Sequence, residues 1–209
     1  MDARSRFLAK FRAIVVPVLR EDGFFGSGST YRHVLGEVIH ILTVQGSRYG
    51  GNCCVCLGIH LAFLPTVGRA MPVDPKKLTE PECEFRSRLR YPDAGDTWWD
   101  YGATDEEAED AALSIKMTYL AVGRAYFQRF SLFPDHFTRV APDSFESRTI
   151  EVCPPAMTDI RSLLALARIY DHLQNRAYAR QFAEIGLQKL AKGCKAIGLK
   201  MEFEKYLGA

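Results

Sequence analysis

The sequence lacks a charge excess. Its 27 Lys and Arg stand against 25 Asp and Glu, leaving a net charge of +2 over 209 residues. Nucleic-acid-binding domains usually carry a strongly basic face, so the balance argues against nucleic acid as the partner. It also lacks a long apolar run near the N-terminus. The longest there, Ala13 to Leu19, is far short of the ~20 residues that cross a bilayer, and no membrane partner is expected. That run fits a secretory leader poorly. It contains Pro17, and Arg20, Glu21 and Asp22 follow where a small-residue cleavage site would stand. A cytoplasmic location is the expectation.

Catalytic signatures are missing as well. There is no Gly-x-Ser-x-Gly elbow and no His-Glu-x-x-His helix. Gly26-Ser27-Gly28-Ser29 lacks the Gly-Lys-Ser/Thr ending of a phosphate loop and leads into a strand, so it is a turn. No cofactor is implied. The six cysteines are Cys53, Cys54, Cys56, Cys83, Cys153 and Cys194. Three of them crowd one β-like run, and a chain with a full core and no leader keeps such thiols free and buried. Cys54 and Cys56, two apart on one strand face, lack the paired Cys-x2–4-Cys spacing of structural zinc, even with His40 and His60 as helpers. No metal site is expected. A Cys56–His40 dyad across adjacent strands would supply a nucleophile and a base, but packed thiols are the better reading.

What is present describes a globular protein. Hydrophobic residues make up 47% and charged residues 25%, and a chain of this length buries roughly 70% of its unfolded surface without staples. Phe7, Leu8, Phe11, Ile14, Val15 and Val18 recur at helical spacing over residues 3–20, with Pro17 ending or kinking the helix. Strands are predicted over Thr30–Leu35, Glu37–Gln45 and Asn52–Leu61. In the last of these, Cys53, Val55, Leu57, Ile59 and Leu61 alternate with Cys54, Cys56, Gly58 and His60. A fourth strand is predicted over Glu82–Tyr91, where Cys83, Phe85, Ser87, Leu89 and Tyr91 oppose Glu84, Arg86, Arg88 and Arg90. Thr104 with Glu107 makes a capping box that opens a helix running to about Phe130. Near Arg148–Val152 a short strand is predicted. Thr158 caps a helix to about Leu173, a second runs from Ala177 to about Lys192, and a short one covers Met201–Leu207. The fold class is α+β: an antiparallel sheet of about four strands flanked by helices, with a C-terminal helical hairpin. The division is a core domain over 1–133 and a helical extension over 134–209 packed on it.

Several short motifs follow one another in a recognisable order. Asp22-Gly23-Phe24 follows the first helix, with Tyr31 soon after, and Val44-Gln45-Gly46-Ser47 ends a strand. Then come Val55-Cys56-Leu57-Gly58-Ile59, Cys83, Phe85-Arg86-Ser87-Arg88-Leu89, Trp98-Trp99 and a helix. Over about residues 7–130 this resembles the bacterial domain-of-unknown-function 4304 family. A glycine commonly follows the arginine-bearing strand in that family, where this chain has Leu89-Arg90-Tyr91. The resemblance implies an α+β fold and no established activity.

The arginine row is the one candidate site. Period-two spacing puts Arg86, Arg88 and Arg90 on one strand face, about 7 Å apart. Trp98, Trp99 and Tyr101 follow in a short loop. Arginine and aromatic side chains dominate binding hot spots, and guanidinium binds carboxylate or phosphate in a two-pronged way. Against this stands a solvated strand face paired with Glu37 or Glu84, plus a tryptophan pair capping the core. The expected function is non-catalytic binding of another protein through these six residues, in one form an immunity or antitoxin-like protein that blocks a toxin. The alternative is a hydrolase-type enzyme acting on an anionic small molecule. The arginines would then hold the anion and Asp96, Asp100 or His60 would act as acid or base.

Overall fold

The computed structural model describes residues 2–67, 74–91, 94–149, 153–193 and 196–208. Its centre is one antiparallel sheet with the order β1 (Phe25–Ser27), β2 (Thr30–Leu35), β3 (Val38–Gly46), β4 (Asn52–Leu61), β5 (Phe85–Arg88), while β6 (Trp99–Asp100) also pairs with β4. β5 and β6 share one edge of β4, since Arg88 stands opposite Cys56 and Trp99 opposite Cys53. The meander follows from its connections. Leu35 pairs with Val38 across a two-residue loop whose Gly36 has φ +60°, the left-handed backbone that tight hairpins require. The sheet has more strands than alternation indicates because β1 and β6 are too short to show a period.

Two helices precede the sheet, α1 (Ala3–Ile14) and α2 (Val16–Glu21). Asp2 caps α1 by accepting from Ser5 N at 2.8 Å. Pro17 sits in the first turn of α2, where its missing N–H has no partner to lose, so the predicted helix is divided there. α3 (Asp105–Thr118) starts at the Thr104–Glu107 capping box. It does not run unbroken to Phe130: a π-helical turn, Tyr119–Gly123, leads into α4 (Arg124–Arg129). Phe7, Phe11 and Leu19 from the first helices pack with Ala108, Ala112 and Ile115 of α3 over one face of the sheet. Each large side chain removed from water there contributes about 1.5–3 kcal/mol.

The predicted strand over 82–91 is shorter than its alternation suggests. Glu80–Glu82 forms a 3-10 turn, and only Phe85–Arg88 is strand. The segment before β5 covers the second face of the sheet, where Leu78 and Cys83 pack on Ile39 and Ile41. The five described cysteines are free and buried. Cys194 lies outside the described residues, as does most of the strand predicted near Arg148–Val152.

The C-terminal helices are α5 (Asp159–His172), α6 (Arg176–Gly193) and α7 (Ile197–Glu204). Phe145, Leu163, Tyr170, Phe182 and Phe203 give them a core of their own. Ala165 and Ile169 of α5 join the main core instead. Arg161 clasps Glu84 (Nε–Oε1 2.9 Å), and the His172 ring stacks on Phe63 with centroids 3.7 Å apart. The extension is thus packed on the sheet. Among the described residues, no helix is long and apolar enough to cross a membrane.

Candidate functional site

The structure sorts the six predicted site residues into two groups. Arg86 is half-buried and committed to a buried partner: its Nε donates to Glu80 Oε1 at 2.6 Å and its Nη2 to Oε2 at 3.1 Å. The Glu80 carboxylate strengthens the guanidinium's hold on its proton. Gly58 lies opposite Arg86 in the ladder, and a Cβ there would stand 2.8 Å from Cys83 Sγ, so the lack of a side chain leaves room for this layer. Trp99 is buried, its Nε1–H donating to Ser114 Oγ at 3.0 Å. Tyr101 is buried against Phe7, ring centroids 5.3 Å apart. Neither glutamate expected beside the arginines meets them, since Glu84 pairs with Arg161 and Glu37 with His172.

Arg88, half-buried like Arg86, joins the exposed Arg90 and Trp98 in the other group. The Arg88 guanidinium lies 5.1 Å from the Trp98 ring centroid, and its Nη1 donates to Asp96 Oδ2 at 3.0 Å. Trp98 is 40% exposed. Arg90 donates to the Ala94 carbonyl. Both arginines line a cleft of about 420 Å³ that also receives Arg129 from α4. Leu57, Leu89, Val122 and Tyr126 supply its apolar walls. Arg129 makes no hydrogen bond or ion pair among the described residues. The Tyr126 hydroxyl is buried without a hydrogen-bond partner there, and burial pushes its phenol well above the usual range. The π-helical turn shapes this wall. A Cβ on Gly123 would stand 2.9 Å from Leu89 Cδ1, so the glycine lets the turn press onto the end of β5. Arg129 carries no local signal of this role, because a basic residue in a last helical turn reads as a partner of the helix dipole.

A family model for DUF4304, a domain of unknown function, matches residues 15–128. The chain belongs to this family. No curated protein matches it, and no solved structure does. The DUF4304 match spans the whole sheet and α3, takes in Arg88, Arg90 and Trp98, and leaves the C-terminal helices outside.

The acid–base candidates in the DUF4304 domain do not converge on the cleft. His60 donates from Nε2 to the Leu64 carbonyl at 3.2 Å, and its Nδ1 accepts from Glu84 N at 3.2 Å. Both ring nitrogens are thereby occupied, and burial lowers the imidazole pKa to about 4. His60 is four positions along β4 from Cys56, the residue opposite Arg88, a separation of roughly 13 Å. Asp96 is bound to Arg88, and Asp100 is exposed on β6. The Cys56–His40 dyad does not form. His40 faces the helices, donating from Nε2 to the Phe130 carbonyl at 2.9 Å, while Cys56 lies on the opposite face and donates to Gln45 Oε1 at 3.1 Å. Thr43, not His40, is its ladder partner, and positions three apart on a strand point to opposite faces.

Proposed function

We propose that this DUF4304 chain is a non-catalytic protein-binding protein. Its cleft receives an acidic segment of another protein on Arg88, Arg90 and Arg129, with Trp98 as the aromatic anchor at the rim. The observation that carries this reading is the meeting of three arginines around an apolar cleft, one of which, Arg88, also lies 5.1 Å from the ring of Trp98, a tryptophan outside the cleft lining that is 40% exposed. Exposed large aromatics next to guanidinium groups are the combination enriched where binding energy concentrates, and the charge favours an acidic occupant. A toxin with an acidic docking face would be such a partner for an immunity or antitoxin-like protein. The hydrolase alternative needs a base near the anion. The described residues lining this cleft offer no carboxylate and no imidazole for the task.

A random peptide library panned against the immobilised chain tests the proposal. Acidic peptides should be enriched, and their affinity should fall at least about tenfold, equivalent to 1.4 kcal/mol, in Arg129→Ala and in Trp98→Ala. Raising the salt should weaken them further. Enrichment of peptides without acidic residues, or binding that both variants retain, would discard the reading. Both side chains are outside the core, so the variants should keep the native circular dichroism spectrum.

A further inference from the structure

The π-helical turn also borders a second cleft, of about 410 Å³, on the side of the sheet where α2 ends. Its residues come from three parts of the chain: the end of α2, the β2–β3 hairpin and the stretch from the π-helical turn to Ser131. Asp22 follows α2, and its Oδ2 accepts from the Tyr119 hydroxyl at 2.7 Å and from Arg124 Nε at 2.8 Å. Tyr119 and Arg124 are five positions apart. In a regular α-helix they would point about 140° away from each other. The turn carries a backbone bond from Arg124 N to the Tyr119 carbonyl, the i→i+5 pattern that brings such positions to one side. π-Helical turns of this kind recur at functional sites.

The opposite wall is His33 of β2. A Cβ on Gly23 would lie 2.7 Å from His33 Nε2 and Cε1. Gly23 has φ +84°, so glycine is required there both for the turn and for the approach of the imidazole. His33 makes no hydrogen bond among the described residues. Behind it His40 is already used, bonded to the Phe130 carbonyl and stacked on Phe127 at 4.8 Å. Phe24, Leu35 and Phe127 supply the apolar lining.

Among the lining groups left without partners are several donors, namely the terminal Nη groups of Arg124, a ring N–H of His33 and the amide of Gln128, while the exposed Glu21 carboxylate stands at the rim. Asp22 already takes two hydrogen bonds on one oxygen. We propose that this cleft binds a small monocarboxylate with an apolar or aromatic body. The carboxylate would lie on Arg124 Nη and His33, and the body on Phe24, Leu35 and Phe127. A single charge is the better match, because a dianionic phosphate would face Asp22 and, at the rim, Glu21. The inference is independent of the arginine cleft, which lies across the turn.

Benzoate and benzylamine test it, sharing one ring and differing in the sign of charge. Each is titrated into the full chain while the His33 imidazole resonance is followed by NMR. Benzoate should shift that resonance and saturate, and benzylamine should leave it in place. His33→Gln, which breaks no hydrogen bond, and Arg124→Lys, which keeps a cation beside Asp22 but loses the two-pronged donor, should each weaken benzoate at least about tenfold. The circular dichroism spectrum checks their fold. Binding of benzylamine, no saturable benzoate shift, or benzoate affinity unchanged in His33→Gln would overturn the proposal.

Discussion

The two faces of β4 are equally buried and are held by different forces. Cys53, Val55, Leu57, Ile59 and Leu61 meet the helices and bring no polar side chain but a thiol. Gly58 and His60 meet the segment before β5, where Glu80 answers Arg86 and Glu84 answers both Arg161 and, through its backbone, His60, while Cys54 and Cys56 share that face. The first face is stabilised by area removed from water. On the second, buried polar groups must each find a partner or cost about 1–3 kcal/mol. One face therefore tolerates shape change in proportion to volume, while the other depends on particular partners.

Acid is the largest test of that difference, because each face hides one histidine. Burial lowers His40 on the helix side and His60 on the other to about 4 each, from about 6.5 in the unfolded chain. A depressed histidine contributes stability that is present above its unfolded pKa and lost as the pH falls toward its folded value. Each should lose about 1.4 kcal/mol per pH unit below 6.5, so the pair should lose about 4 kcal/mol by pH 5. Glu84 works in the opposite sense. Its burial raises the carboxyl pKa, although Arg161 pulls it back, so acidification costs nothing at that site. Urea midpoints measured from pH 7 to pH 5 should fall steeply. His60→Gln should remove about half of the slope; an unchanged slope would mean that His60 does not titrate on unfolding.

Glu84→Ala comes next. The carboxylate is 1% exposed and holds Arg161 on two oxygens. Removing one partner of a buried pair leaves the other uncompensated, and about 3 kcal/mol should be lost. Replacing both, with Glu84→Leu and Arg161→Met, should return most of that loss, since apolar packing can stand in for a buried pair. Chemical denaturation of the three variants reads this directly. If the double variant is as unstable as the single one, the pair does more than satisfy itself.

The same contrast explains what the sequence could reveal. The apolar face of β4 was legible because period-two alternation reports volume and hydrophobicity, and Thr104 and Thr158 announced their helices through the chemistry of capping. Glu80 as the partner of Arg86 was not legible, because it comes from a proline-containing 3-10 turn with no period. Trp98 and Trp99 are adjacent, so alternation puts one in and one out, but only the pairing of Trp99 with Cys53 decides which. The π-helical turn has the apolar composition of any helix and shows itself only in its hydrogen bonds. Asp22, His33 and the Tyr119–Arg124 turn meet from three separate segments, and no local pattern joins them. The Asp22-Gly23 turn was visible, but the imidazole lying over its glycine was not.

The smallest test uses two neighbours on β4. Ile59→Val removes one methylene from the helix face and should cost about 1 kcal/mol, the same at pH 7 and pH 5. Gly58→Ala adds one methyl to the other face, 2.8 Å from Cys83 Sγ and 3.3 Å from Glu80 Cγ. Overpacking of this kind costs about 1–3 kcal/mol, and the lower entropy of an alanine in the unfolded chain offsets about 0.4–1 kcal/mol of it. The net losses of the two variants should therefore be similar, and stability alone will not separate them. Cys83→Ala will. It removes the sulfur that the new methyl meets, so it should couple favourably with Gly58→Ala and not with Ile59→Val, whose side chain points through the sheet to the helices. A double-mutant cycle by urea denaturation measures both couplings. Equal couplings would mean that the layer on Gly58 yields as readily as the helix face, and the two faces would then differ in composition but not in how tightly they specify their partners.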